Sequence, residues 1–177
     1  MIRYRGADDR EKLLVVNSGD QSISVIDAST ASVLQIELNT NADQIYPYTS
    51  PSGEELALIY SERGQSPIIT DPRLAEQGER GGLGRPQIAL EEPITALIDS
   101  PIEGQAIAFH QFQRGLSLIN LDQVFANPLR AGSGISSWVL DRERALIYTS
   151  VSGSGKLTTI NLTNSQVRSI DVERSIN

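Results

Sequence analysis

Cysteine is absent from the 177 residues, so neither disulfides nor thiolate metal sites can form, and the core must hold without covalent staples. Histidine occurs once, at position 110, which makes a transition-metal site built from imidazole and thiolate improbable. A Ser-His-Asp triad would need that same histidine as its base, and neither Ser18 nor Ser61 sits in a nucleophile-elbow pattern. Basic residues are in deficit: 15 Lys and Arg face 22 Asp and Glu, for a net charge of -7. Phosphate contacts need clustered cations, so nucleic acid is excluded as the expected partner. No apolar run approaches the length of a membrane span. The start, "MIRYRGADDREK", carries charge but no apolar stretch of the kind a signal peptide requires. Helical periodicity is also hard to find.

What is present is a series of short β-rich runs. Apolar residues make up 39% of the chain and the mean hydropathy is -0.20, values expected of a single globular domain over residues 1–177. The runs are "LLVV" (13–16), "SISVI" (22–26), "VLQIEL" (33–38), "LALIY" (56–60), "PIIT" (67–70), "AIAF" (106–109), "LSLI" (116–119), "ALIY" (145–148), "LTTI" (157–160) and "VRSIDV" (167–172). Gly, Asn, Asp, Ser or Pro cluster between most of them, so an all-β fold of short strands and tight turns is predicted.

The runs repeat. Val16-Asn17-Ser18 leads through "GDQSISVID" to Asp27, and Ile59-Tyr60-Ser61 leads through "RGQSPIITD" to Asp71. Ala108-Phe109-His110 leads to Asn120, and Ile147-Tyr148-Thr149 leads through "GSGKLTTIN" to Asn161. The four terminal Asp or Asn positions lie 44, 49 and 41 residues apart. A further strand and turn precede each unit, so one template recurs: strand, polar turn, strand, Gly-rich turn, strand ending in Asp or Asn, loop, strand. The units divide at about 1–44, 45–93, 94–134 and 135–177.

One stretch, "VSGSGKLTTINL" (151–162), invites a phosphate-loop reading, and the repeat disposes of it. The loop pattern G-x-x-x-x-G-K-[ST] needs glycine where Ser150 stands and Ser or Thr where Leu157 stands. It also needs a following helix, whereas "LTTINL" reads as a strand. Gly153 and Gly155 are expected to supply positive φ in a hairpin turn.

The stretch "LLVVNSGDQSISVIDASTASVLQIEL" resembles a repeat of the bacterial YVTN-type β-propeller family, through Val15-Val16-Asn17-Ser18-Gly19 and Ser24-Val25-Ile26-Asp27. The turn Ser50-Pro51-Ser52-Gly53-Glu54-Glu55-Leu56 resembles the turn that follows such a blade. Later units depart from the pattern: Asn120 and Asn161 replace the aspartate, and Gly53 has no counterpart at 141–144. The resemblance implies a propeller of about four four-stranded antiparallel blades, and a bacterial envelope or extracellular protein. Blades of about 40–45 residues suit the spacing, because one sheet cannot bury both faces alone.

Two architectures remain open. The chain starts on an outer strand, about Ile2–Arg5, and ends on the third strand of the last unit, Gln166–Val172. That phase allows the first strand to complete the last blade in a closed four-bladed ring. Family members usually have about seven blades, which favours half of a larger ring; a lone arc exposes two sheet faces and would need a missing half or a second copy.

Candidate site residues are few. His110 follows the innermost strand of the third unit, where the other units carry Ser18, Ser61 and Thr149. It is either a rim ligand or an ordinary hydrogen-bonded strand end. The longest irregular segment, "DPRLAEQGERGGLGRP" (71–86), carries Arg73, Arg80 and Arg85 and is locally basic in an acidic chain. Long loops on rigid scaffolds often carry recognition, so these residues are candidates for contacting a partner. Propeller topology puts this loop on the face of the turns at Pro51–Gly53, Pro101–Gly104 and Asp141–Glu143. Asp27, Asp71, Asn120 and Asn161 are expected to close the turns after them through backbone N–H groups. Trp138, on the outer strand of the third unit, is expected to be buried between blades. "Asn161-Leu-Thr" also fits a glycosylation acceptor, a pattern common by chance.

The function expected is a non-enzymatic scaffold presenting a loop-bearing face to a protein or small ligand, with no cofactor and no metal. Its rivals are a propeller enzyme of the lactonase or quinoprotein type, and a structural module that oligomerises through open blade edges.

Overall fold

The computed structural model describes residues 1–38, 40–64, 66–76, 87–110, 115–131, 135–151 and 153–172. Fifteen strands form four antiparallel sheets, each built from consecutive strands. The first holds β1 (Ile2–Arg5), β2 (Glu11–Asn17), β3 (Ser22–Asp27) and β4 (Ser32–Glu37). The second holds β5 (Gln44–Thr49), β6 (Glu55–Tyr60) and β7 (Ile68–Thr70), followed by a one-turn helix α1 (Pro72–Glu76). The third holds β8 (Ile94–Asp99), β9 (Gln105–His110), β10 (Leu116–Asn120) and β11 (Phe125–Leu129). The fourth holds β12 (Ile135–Asp141), β13 (Leu146–Val151), β14 (Lys156–Asn161) and β15 (Val167–Asp171).

This is a four-blade β-propeller fold, and its core follows from strand alternation. On β2, Leu14 and Val16 face the second sheet while Leu13 and Val15 point to the opposite side. Three apolar clusters result. Tyr4, Leu14, Ile23 and Val25 of the first sheet pack on Ala57 and Ile59 of the second. Leu56, Leu58 and Ile69 pack on Ala106, Ala108 and Ile119 of the third. Ile107, Phe109, Leu116 and Leu118 pack on Ile147 and Ile160 of the fourth. Every neighbouring pair of sheets is thus joined by an apolar seam, and no cluster among the described residues joins the fourth sheet to the first.

The turns repeat as closely as the strands. Asp27 accepts hydrogen bonds from the backbone N–H groups of Ser29 (2.8 Å) and Thr30 (3.3 Å). Asn120 accepts one from Gln123 (2.7 Å), and Asn161 accepts them from Thr163 (2.9 Å) and Asn164 (3.2 Å). In each case the residue four places on, Ala31, Val124 or Ser165, takes a positive φ of 55–58°. Asp71 does the same work in another setting: it accepts from Arg73 N–H (2.9 Å) and so caps α1. In the hairpin after β13, Gly153 and Gly155 have φ of 76° and 64°, and β14 follows directly, so this segment is a turn and not a phosphate cradle.

Several expectations need correction. Ile2–Arg5 does not complete the last sheet; it pairs with β2, with Ile2 opposite Leu14. The last strand is the fourth of its sheet, not the third, because β15 pairs on β14 after β12, β13 and β14 are in place. Unit two lacks a full fourth strand among the described residues, where a single bridge from Ile68 to Gln87 takes its place. The segment after Asp71 opens as a helix, since Asp71-Pro72 places a capping side chain before a residue whose missing N–H costs nothing at the first helical position. Trp138 belongs to the first strand of the fourth sheet and is 41% exposed, so it is not sealed between blades.

Candidate functional site

Strand direction decides which predicted site residues can meet. β9 runs away from the Ser100–Gly104 turn and ends at His110, whereas β7 runs the opposite way along its sheet and delivers Asp71 and α1 to the end where the first turn, Gly6–Arg10, lies. Glu76 of α1 accordingly pairs with Lys12, just beyond that turn. Arg73 and His110 therefore sit at opposite ends of the blades and share no site. Arg73 Nε lies 3.5 Å from Asp71 Oδ1, so its charge is directed to its own helix cap. Arg80 and Arg85 lie outside the described residues.

His110 is the predicted residue that the structure places at a built cavity. It is 6% exposed. Its Nδ1 lies 3.3 Å from the carbonyl oxygen of Pro93, and its Nε2 lies 2.7 Å from Ser117 Oγ. A carbonyl only accepts, so Nδ1 donates to Pro93, and Nε2 and the Ser117 hydroxyl share the second hydrogen bond. By register, the residues equivalent to His110 are Asn17, Ser61 and Val151, because β2, β9 and β13 begin level with Asp27, Asn120 and Asn161. The sequence alignment was thus one residue out in the first unit and two out in the fourth.

Two cavities share His110 and Gly115. One, of about 220 Å³, is bounded by Glu91, Glu92, Ser117 and Arg130. The other, of about 200 Å³, lies between the third and fourth sheets and is walled by Thr95, Phe109, Ser136 and Trp138. The Phe109 and Trp138 rings stack with centroids 4.8 Å apart and planes at 24°. Glu92 Oε2 is buried without a hydrogen-bond partner among the described residues, an acceptor left open beside the first cavity. Sequence reasoning singled out His110 and Trp138 separately. It missed Ser117, Glu92 and the stack, because nothing in the spacing shows that β9 and β12 approach each other.

Chemically, a hydroxyl bonded to imidazole is half of a nucleophile–base pair. Here the third member is a backbone carbonyl, not a carboxylate, and Ser117 is 2% exposed with its hydroxyl committed to the ring. The arrangement fits a structural polar contact at a cavity wall better than an acyl-transfer centre. Among the described residues no group of three or more His, Cys, Asp or Glu could hold a metal ion. At the opposite end, Tyr4 and Tyr46 have phenols pushed well above their usual range. Burial is the main cause for both, with the carboxylates of Glu76 and Asp99 respectively adding to it. Tyr46 donates to Asp99 across the second seam, whereas Tyr4 packs in the first seam with its hydroxyl buried and unpartnered among the described residues.

Comparison with known proteins agrees with the fold. No family model matches the chain, and no curated protein does. Among solved structures, it is similar to the dihydro-heme d1 dehydrogenase NirN in complex with DHE, with a TM-score of 0.60 at 14% identity, covering 97% of this chain and 38% of that one. It is similar to Kuenenia stuttgartiensis hydrazine synthase, with a TM-score of 0.56 at 13% identity, over 96% of this chain and 48% of that one. Streptogramin B lyase gives a TM-score of 0.54 at 12% identity, over 98% of this chain and 55% of that one. These neighbours are propeller proteins and the likeness is one of fold alone. The chain spans about half their length or less.

Proposed function

We propose that the chain is a non-enzymatic propeller scaffold that holds a small ligand, or a partner's side chain, in the paired cavities around His110. The observation that carries this reading is the half-open Trp138–Phe109 stack at the seam between the third and fourth sheets, beside a buried histidine fixed at both nitrogens. A rigid aromatic plate next to a few placed polar groups is the composition of a small-ligand pocket. The open acceptor at Glu92 favours a ligand that brings a donor or a positive charge. On the face expected from sequence to carry recognition, Arg73 is turned to Asp71 and Lys12 to Glu76, so that face supports the reading less well.

Trp138 is the chain's single tryptophan, so its emission reports on this seam alone. Titration with tyramine, an aromatic ammonium, is expected to change that emission saturably. The aromatic carboxylate 4-hydroxyphenylacetate is expected to do so much less, and Glu92→Gln is expected to erase the difference between them. Emission that responds to neither compound would overturn the assignment.

A further inference from the structure

The two end sheets each carry one face built like the inner seams but lacking a neighbour among the described residues. Register identifies the equivalent positions. On the side that faces the preceding sheet, Leu13, Val15 and Ile26 of the first sheet match Ala57, Ile59 and Thr70 of the second. They also match Ala106, Ala108 and Ile119 of the third, and Ile147, Thr149 and Ile160 of the fourth. The inner residues are 0–1% exposed, whereas Leu13, Val15 and Ile26 are only half-buried. Val33 on β4 matches Ala126 and Val167, which pack into seams, yet Val33 is 63% exposed.

The fourth sheet shows the converse. On its outward side, Val139 matches Ile2, Tyr46 and Ile98, each packed into an inner seam. Ile170 matches Ile36 and Leu129, which are also packed into seams. Val139 is nevertheless 65% exposed and Ile170 57% exposed. Polar residues match along the strands as well. At the end where His110 lies, the first sheet presents Asn17, Ser22, Ser24 and Gln35, joined by side-chain hydrogen bonds of 2.8–3.0 Å. The fourth sheet presents Ser137 and Ser150 there, 2.7 Å apart.

We propose that a second copy of this chain covers both faces at once, with the outward face of each fourth sheet seated on the outward face of the partner's first sheet. The seam so formed repeats the apolar mid-strand packing of the three seams already present, and at the His110 end it sets the amide and hydroxyl groups of the first sheet against Ser137 and Ser150 of the fourth. Two such heterologous contacts close a twofold ring of eight sheets, with no exposed seam face left over. Four sheets that span about half of the propeller neighbours' length fit a half-ring. The proposal is independent of the ligand reading, because it uses neither cavity.

The mass in solution tests it. The 177-residue chain is expected to run at twice 19.3 kDa across a dilution series that ends in dissociation. Val33→Glu and Ile170→Glu, both at exposed sites that the monomer fold does not need, should each shift the dimer to monomer. Phe125→Glu, which adds charge at another exposed apolar site, on the third sheet, should not. An equal mixture of the Val33→Glu and Ile170→Glu proteins should regain dimer, because the mixed pair keeps one unaltered seam. A monomer at every concentration, a polymer larger than two copies, insensitivity to either variant, or a mixture that stays monomeric would each overturn it. Circular dichroism of each variant shows that lost association is not lost folding.

Discussion

The ε-ammonium of Lys12 lies 2.5 Å from a carboxylate oxygen of Glu76, which ties β2 of the first sheet to the helix that follows β7 of the second. Asp8 adds a second carboxylate 3.2 Å from the same nitrogen, and the lysine and glutamate side chains are only 11% and 10% exposed. Glu76 holds the lysine's pKa above its ordinary value, with Asp8 contributing. This contact holds the short helix α1 against the first sheet.

Removing one partner from a well-covered ion pair leaves the other charge stranded, and that penalty exceeds the worth of an exposed pair. Lys12→Met abandons two carboxylates beside the buried phenol of Tyr4, whereas Glu76→Gln leaves Asp8 still paired. Lys12→Met is expected to cost about 1–3 kcal/mol and Glu76→Gln less, read as shifts in the urea midpoint. Equal stability of both variants and the parent would show the pair to be idle.

Asp27 gives the sign of the acid response. The Ser29 hydroxyl, together with the N–H groups of Ser29 and Thr30, lowers its pKa to about 2. The folded value lies below the unfolded one of about 3.9, so its contribution is fully present above that pH and is lost as pH falls towards 2. Asn120 and Asn161 perform the same turn closure with a neutral amide oxygen. Asp27→Asn should therefore fold at neutral pH, as its counterparts do, and lose less stability between about pH 4 and 2 than the parent. Thermal melts over that range check it; parallel pH profiles for the two proteins would refute the assignment.

Much of the blade pattern could be read directly. Short apolar runs locate β6, β9 and β10 because a strand covered on both faces is apolar throughout its length, and β2, β3 and β14 of the end sheets carry the same kind of run. β11 escaped because Phe125-Ala-Asn-Pro-Leu129 carries a proline, which only an outer strand tolerates. The phase of the repeat slipped at Asn17 and Val151 because consecutive positions in these strands are similarly apolar, so composition does not fix which face a residue occupies. The helix cap Asp71-Pro72 was visible and was missed among glycines and arginines. The cavity at His110 was not legible, since Ser117, Pro93 and Trp138 reach it from three separate segments.

The same turns carry a strain that the sequence does not advertise. Ala31 has a φ of 55°, a left-handed conformation that costs a residue with a Cβ about 1–2 kcal/mol. Its side chain is exposed, so replacement loses no packing. Ala31→Gly removes the clash while adding some freedom to the unfolded chain, and a net gain of about 0.5–1 kcal/mol is expected in the urea midpoint. Val124 occupies the matching place with a φ of 57°, yet it packs against the seam between the second and third sheets. Val124→Gly should relieve the backbone and lose that contact, leaving stability nearly unchanged. A loss at Ala31 as large as an ordinary glycine substitution in a strand would show that the turn does not need its left-handed residue, and with it that the Asx-closed turn is not the element repeated around the blades.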